Sequence, residues 1–247
     1  MRVVAIVQAR MGSSRLPGKV LMDVGGNTAL ARTIIRLSRS TRIDEIVVAT
    51  TTAPQDDAIA REAKLIRVKC FRGSEDDVLW RYSQAAESFR ANMVVRITSD
   101  CPLIDPEIVD QVIDKCVTEK ADFACNVLPR SFPRGLDTEV FRRAALTKVE
   151  SLADQPYQRE HVTPLFYERQ DLFRFVSVSA EADYSRYRWT LDTAEDLELI
   201  RAIYSHFNSN GDFTWREVIT LMEGQPHLQG INAHIVQNSV QSNTLVH

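Results

Sequence analysis

Residues 8–19 read QARMGSSRLPGK and put three cations, two glycines and two serine hydroxyls into one short stretch. Arg10, Arg15 and Lys19 can neutralise anionic oxygens, the arginines as forks and the lysine as a point charge. Gly12 and Gly18 let the backbone come close, so that N–H groups can point at the same oxygens. The chemistry on offer is a phosphate cradle; composition alone describes a solvated basic loop equally well. Position favours the cradle. The stretch follows residues 3–7, VVAIV, a β-branched run suited to a buried parallel strand, and open α/β sheets bind ligands at the carboxyl ends of their strands. It is neither G-x-x-x-x-G-K-[ST] nor G-x-G-x-x-G, which disfavours a P-loop ATPase and a dinucleotide oxidoreductase.

Asp100 is the next candidate. It ends the apolar run 93–98, MVVRIT, within TSDCPLID. A carboxylate at the tip of a central strand, opposite a basic loop, suits Mg²⁺, which takes one or two carboxylates with substrate phosphates and water. Asp105 precedes a proline and reads as the cap of a helix over 106–118.

The elements that must position these residues alternate. Helices are expected over 29–40, 54–64, 75–89 and 106–118, and strands over 45–51, 65–71, 93–98 and 122–127. That alternation is the pattern of a parallel sheet covered on both faces, an α/β fold. In it Thr51 ends the second strand and Ser74 is expected to cap the helix that follows the third. Residues 128–158 break the alternation, with a short helical run over 141–152. Strands are expected again over 172–179 and 187–191, then a helix ending at His206 that Thr193 or Asp192 caps, then one over 215–222. The chain reads as one domain over 1–225 with an insert at about 128–160, followed by a tail over 226–247 whose residues 238–243 look loosely held.

Composition narrows the class. A formal net charge of −3 gives no electrostatic case for a nucleic-acid partner, and no apolar run approaches membrane-spanning length. Cys70, Cys101, Cys116 and Cys125 form no close metal-type pairs, and no signal peptide precedes the first strand. A cytoplasmic protein is expected.

The wording of residues 8–19 resembles the signature loop of the sugar-acid cytidylyltransferases, which activate Kdo and acylneuraminate sugars as CMP conjugates. Gln8 and Met11 make it most similar to their spore-coat polysaccharide branch. The resemblance implies a Rossmann-like three-layer α/β/α fold with an inserted dimerisation or lid subdomain. It also implies that Arg10, Arg15 and Lys19 grip the triphosphate of CTP, with Gln8, Ala9, Gly12, Ser13, Thr51, Arg72 and Ser99 around the nucleotide. Arg134, Glu139 and His161 would contact the acceptor sugar acid. Asp192, in the strand-end sequence LDTAED, would join Asp100 on Mg²⁺. A homodimer is implied too. One departure bears on the acceptor, because Thr98-Ser99-Asp100-Cys101-Pro102 differs from the glycine- and proline-bearing versions of the Kdo and sialic acid enzymes. A nonulosonic acid is the first expected acceptor. The alternatives are another nucleoside triphosphate, a non-sugar acceptor, a nucleotide-sugar glycosyltransferase and a non-catalytic nucleotide-binding module.

Overall fold

The structure, a computed structural model, describes residues 1–236. Seven strands form one sheet in the order β3-β2-β1-β4-β6-β5-β7. They are β1 (Val3–Gln8), β2 (Glu45–Thr51), β3 (Lys69–Gly73), β4 (Met93–Thr98), β5 (Phe123–Cys125), β6 (Glu139–Arg142) and β7 (Phe175–Ser177). All pairings are parallel except those of β6, which runs antiparallel to both β4 and β5. Alternation along the central strands splits the core. Val3, Ala5 and Val7 pack on one face with Leu30, Ile34 and Val109, whereas Val4 and Ile6 pack on the other with Leu79, Tyr82 and Phe141. Helices α1 (Ala29–Leu37), α2 (Asp57–Leu65) and α4 (Pro106–Thr118) cover the first face; α3 (Val78–Ser88) and α5 (Arg143–Leu152) cover the second. Short helices α6 (Pro156–His161) and α7 (Pro164–Glu168) follow, and α8 (Ala194–His206) and α9 (Trp215–Gly224) close a third cluster around Trp189 and Trp215. The expected α/β layering holds.

Local chemistry sets the helix starts. Asp105 accepts from Glu107 N at 3.0 Å, as its position before Pro106 demands. Thr193 caps α8 in a reciprocal box with Asp196. Ser74 is not the cap of α3: that role falls to Asp77, which accepts from Trp80 N at 2.8 Å, while Ser74 Oγ accepts from Asp77 N at 3.0 Å. The third strand starts later than 65 because α2 runs to Leu65 and the chain then turns at Arg67, whose φ is 59°.

Three larger expectations change. The segment 128–160 is not a separate excursion, since it supplies β6 to the centre of the main sheet. Residues 187–191 are not a strand: they make a single bridge, Arg134 to Arg188, with Trp189 N donating to Arg134 O at 2.7 Å. Nor does the body stop at 225. Helix α10 (Pro226–Gly230) buries Leu228, and Asn232 is 3% exposed. Residues 238–243 lie outside the described residues. Among the described residues no helix is long and apolar enough to cross a membrane.

Gly135 shows how tightly residues 187–191 are held. Its φ is 104°, and a Cβ there would lie 2.6 Å from the Trp189 carbonyl carbon and 2.7 Å from Thr190 N. Both neighbours are backbone and cannot step aside. Gly135→Ala is therefore expected to cost about 3 kcal/mol of unfolding free energy, measured by urea denaturation.

Candidate active site

The basic loop leaves β1 at Gln8 and is pinned by its own backbone. Gly18 N donates to Met11 O at 3.1 Å, with Gly18 at φ 71°, a conformation that favours glycine. Gly12 has no such need, for a Cβ there would meet nothing within 4 Å. Met11 N donates at 2.7 Å to Asp56, a fully buried carboxylate from the start of α2. The loop thus presents Arg10, Ser13, Arg15 and Lys19 along one wall of a cleft of about 410 Å³.

Opposite stand the two aspartates. Lys19 Nζ donates to Asp100 Oδ2 and to Asp192 Oδ1, each at 2.7 Å. Arg15 lies 3.0 Å and Arg188 2.8 Å from Asp192 Oδ2. Burial by itself would raise the Asp192 carboxyl, but Lys19, Arg188 and Arg15 hold it below the usual carboxylate range. Burial likewise opposes the Lys19 charge, yet Asp100 and Asp192 outweigh it and raise the ammonium above its ordinary value. The aspartate loops are tied together, with Leu191 N donating to Asp100 O at 2.8 Å. Behind Asp192, Arg188 forks onto the fully buried Asp196 with two bonds of 2.9 Å. Asn232 closes this layer, donating to Asp196 Oδ1 at 2.8 Å and to Arg188 O at 2.9 Å.

Five cations (Arg10, Arg15, Lys19, Arg81 and Arg96) line the cleft against three acids (Asp100, Glu160 and Asp192). Gln8 Oε1 is buried there without a partner among the described residues, an acceptor left for a ligand to use. The arrangement suits a polyanion that brings its own hydrogen-bond donors. Comparison with known proteins names the class. A family model described as cytidylyltransferase matches residues 4–216. The chain belongs to the cytidylyltransferase family. It is 34% identical to the spore coat polysaccharide biosynthesis protein SpsF of Bacillus subtilis, over 91% of this chain and 95% of that one. A solved cytidylyltransferase from Leptospira borgpetersenii, 36% identical, superposes with a TM-score of 0.91 and covers 96% of this chain and 100% of its own. The CMP:2-keto-3-deoxy-manno-octonic acid synthetase solved with CTP shares the fold, with a TM-score of 0.66 at 20% identity over 84% of this chain and 100% of its own.

In this cytidylyltransferase Gln8, Ala9, Arg10, Gly12, Ser13, Arg15, Lys19, Ser99, Asp100 and Asp192 all line the one cleft, and so does His161, which the sequence reading set against the acceptor. Thr51 and Arg72 do not. Thr51 is fully buried and its hydroxyl donates to Asp56, so it supports the basic loop from behind. Arg72 donates to the carbonyls of Thr51 at 2.9 Å and Ala53 at 3.1 Å and pairs with Asp57 at 2.6 Å, which commits it to the β2 terminus. Arg134 faces a separate small cavity beside Arg186 and Asn232. Glu139 lines an adjoining cavity of about 310 Å³ that shares Arg96, Thr98 and His161 with the cleft. Sequence reasoning missed Arg81 and Arg96. The signal for Arg96 was present, as a lone charge inside the apolar strand MVVRIT.

Asp192 is held from behind, so the support should matter to turnover. Asn232→Ala is expected to lower kcat about tenfold, the scale of outer partners that orient a reacting group, with KM for the nucleotide nearly unchanged. Steady-state kinetics beside a thermal melt check it; a fall in KM performance alone would contradict it.

Proposed function

We propose that the chain transfers the CMP unit of CTP to a hydroxyl of a sugar-type acceptor, releasing pyrophosphate. The observation that carries this is the convergence of Arg10, Arg15 and Lys19 with Asp100 and Asp192 in one cleft. The acceptor oxygen forms a bond to the α-phosphorus as the bond to the β-phosphate oxygen breaks. Such transfer asks the protein for alignment and charge neutralisation more than for covalent chemistry. Arg10 is exposed and has no side-chain partner among the described residues, so it is free to meet the phosphates. Arg15 and Lys19 would exchange carboxylate for phosphate oxygens as the nucleotide enters.

We also propose Mg²⁺. Asp100 and Asp192 aim at one cation position, held here by the Lys19 ammonium, and a pair of carboxylates completed by substrate phosphates is the donor set that Mg²⁺ favours. Bound there it would stabilise charge developing at the α-phosphate. His161 lines both the cleft and its neighbour, where the acceptor hydroxyl must approach. Burial, with help from Arg96 and Arg10 and against Glu160, lowers its imidazole below the ordinary value, so the neutral, proton-accepting form prevails at pH 7. It is our candidate for the base that takes the hydroxyl proton.

The first acceptor to test is a sugar acid of nonulosonic type, the class that the resemblance implies, beside neutral and amino sugars. An activated sugar for polysaccharide assembly, a cytoplasmic setting and a homodimer belong to the same proposal. The dimer would appear in light scattering as twice the 28.0 kDa chain mass.

Pyrophosphate release with each of the four common nucleoside triphosphates tests the reading. CTP should be preferred; preference for another triphosphate would keep the mechanism and remove the base assignment. Transfer from a nucleotide sugar without pyrophosphate would move the chain to glycosyltransferase chemistry. Lowering the pH protonates His161 and removes the proton acceptor, so activity should fall on the acid side, with the limb below the ordinary histidine value of 6.5. His161→Asn is expected to lose about a hundredfold in kcat and to lose that limb from the pH–rate profile.

A further inference from the structure

The small cavity behind the aspartate layer shares no lining residue with the nucleotide cleft. Its volume of about 150 Å³ falls below that of pockets for drug-sized ligands and suits a small anion. Three arginines line it, Arg134, Arg186 and Arg188, with Gln229 and Asn232 beside them. Among the described residues no acid lines it.

The frame around these arginines is fixed. Arg134 N donates to Tyr187 O at 3.0 Å and Trp189 N to Arg134 O at 2.7 Å, which stitches Arg134 to the segment carrying the other two. Asn232 and Arg188 are buried, and Asn232 Nδ2 donates to the Arg188 carbonyl at 2.9 Å.

Within that frame the positive charge is only partly balanced. Arg188 is committed to Asp192 and Asp196. Arg186 donates to Tyr187 OH at 2.9 Å and meets Glu223 at 3.5 Å with both side chains about half exposed, an ion pair of little worth. The Arg134 guanidinium makes no hydrogen bond or ion pair among the described residues, and neither does the Gln229 carboxamide. Burial, then Arg130 and Arg188, lower the Arg134 pKa below its ordinary value against Asp137 and Asp192, as expected of a cation short of counter-charge.

We infer that this cavity binds a doubly charged oxyanion of the phosphate class, held by the Arg134 fork with Arg186 turned in from the surface. The inference stands apart from the proposed CMP transfer, because the cleft contributes no residue to it. A planar guanidinium gives a phosphate edge two parallel N–H bonds. Arg186 gives up only a weak surface pair to join, and Arg188 adds attraction while keeping both aspartates. A monocarboxylate brings one negative charge to the same three cations, so the dianion is favoured.

Titration calorimetry with inorganic phosphate on the full chain tests this, with CTP at saturation and no Mg²⁺, so that the cleft is filled and no turnover intervenes. Phosphate should still bind, at one site, and about tenfold or more tightly than acetate. Arg134→Ala and Arg134→Gln should each weaken phosphate about tenfold or more and leave CTP affinity within about twofold. No phosphate binding to the CTP-saturated chain would overturn the inference, and so would acetate binding as tightly. Phosphate affinity unchanged in either variant, with its fold verified by circular dichroism, would overturn it as well. Failure of CTP to bind would remove the nucleotide reading instead, and the loss of phosphate affinity in the Arg134 variants would still decide the site.

Discussion

The Lys19 ammonium sits between Asp100 and Asp192, and the rest of the site is organised by that contact. It joins three segments far apart in sequence: the loop after β1, the end of β4 and the start of α8. Without a cation between them, two carboxylates in so enclosed a place would repel each other and lose their solvation together. With it, each charge has a partner and the cleft keeps its shape. The same contact is easily exchanged, because a triphosphate offers Lys19 and Arg15 better-matched oxygens while any cation accompanying the nucleotide can take over the aspartates. A resting ion cluster and a working phosphate site are thus one set of side chains with two sets of partners.

The sheet explains why this cluster has a neighbour. Because β6 runs antiparallel into the middle of the sheet, Glu139 lies opposite Arg96 of β4, and the two side chains form the partition between the cavities. His161, at the end of α6, faces both. An all-parallel sheet would have carried the chain away through a crossover helix at this point and left the nucleotide cleft without the second cavity.

Much of this was legible in the sequence, and the parts that were not share a cause. The basic loop and Asp100 stand at strand ends, where local spacing fixes which way a side chain faces, and Asp192 was legible only through the resemblance of LDTAED to a family motif. Thr51 and Arg72 stand at a strand end too, but tertiary partners claimed them first: Asp56 takes the Thr51 hydroxyl, and the carbonyls of Thr51 and Ala53 take the Arg72 guanidinium. Arg81 sits on a helix whose apolar stripe hides it, and Arg130 pairs with Asp137 across a segment without regular periodicity. Asn232 was unreadable for a simpler reason. Its role depends on Asp196, 36 residues earlier, and no local pattern connects the two.

The most direct test of the central contact is the equilibrium affinity for CTP of Lys19→Ala against the native chain, by titration calorimetry. Loss of this ammonium both removes a phosphate partner and exposes the two aspartates to the triphosphate. The affinity is expected to fall by about thirtyfold or more. An affinity unchanged or increased in Lys19→Ala would show that the ammonium between Asp100 and Asp192 plays no part in holding the nucleotide, and the account of the cleft would fail with it.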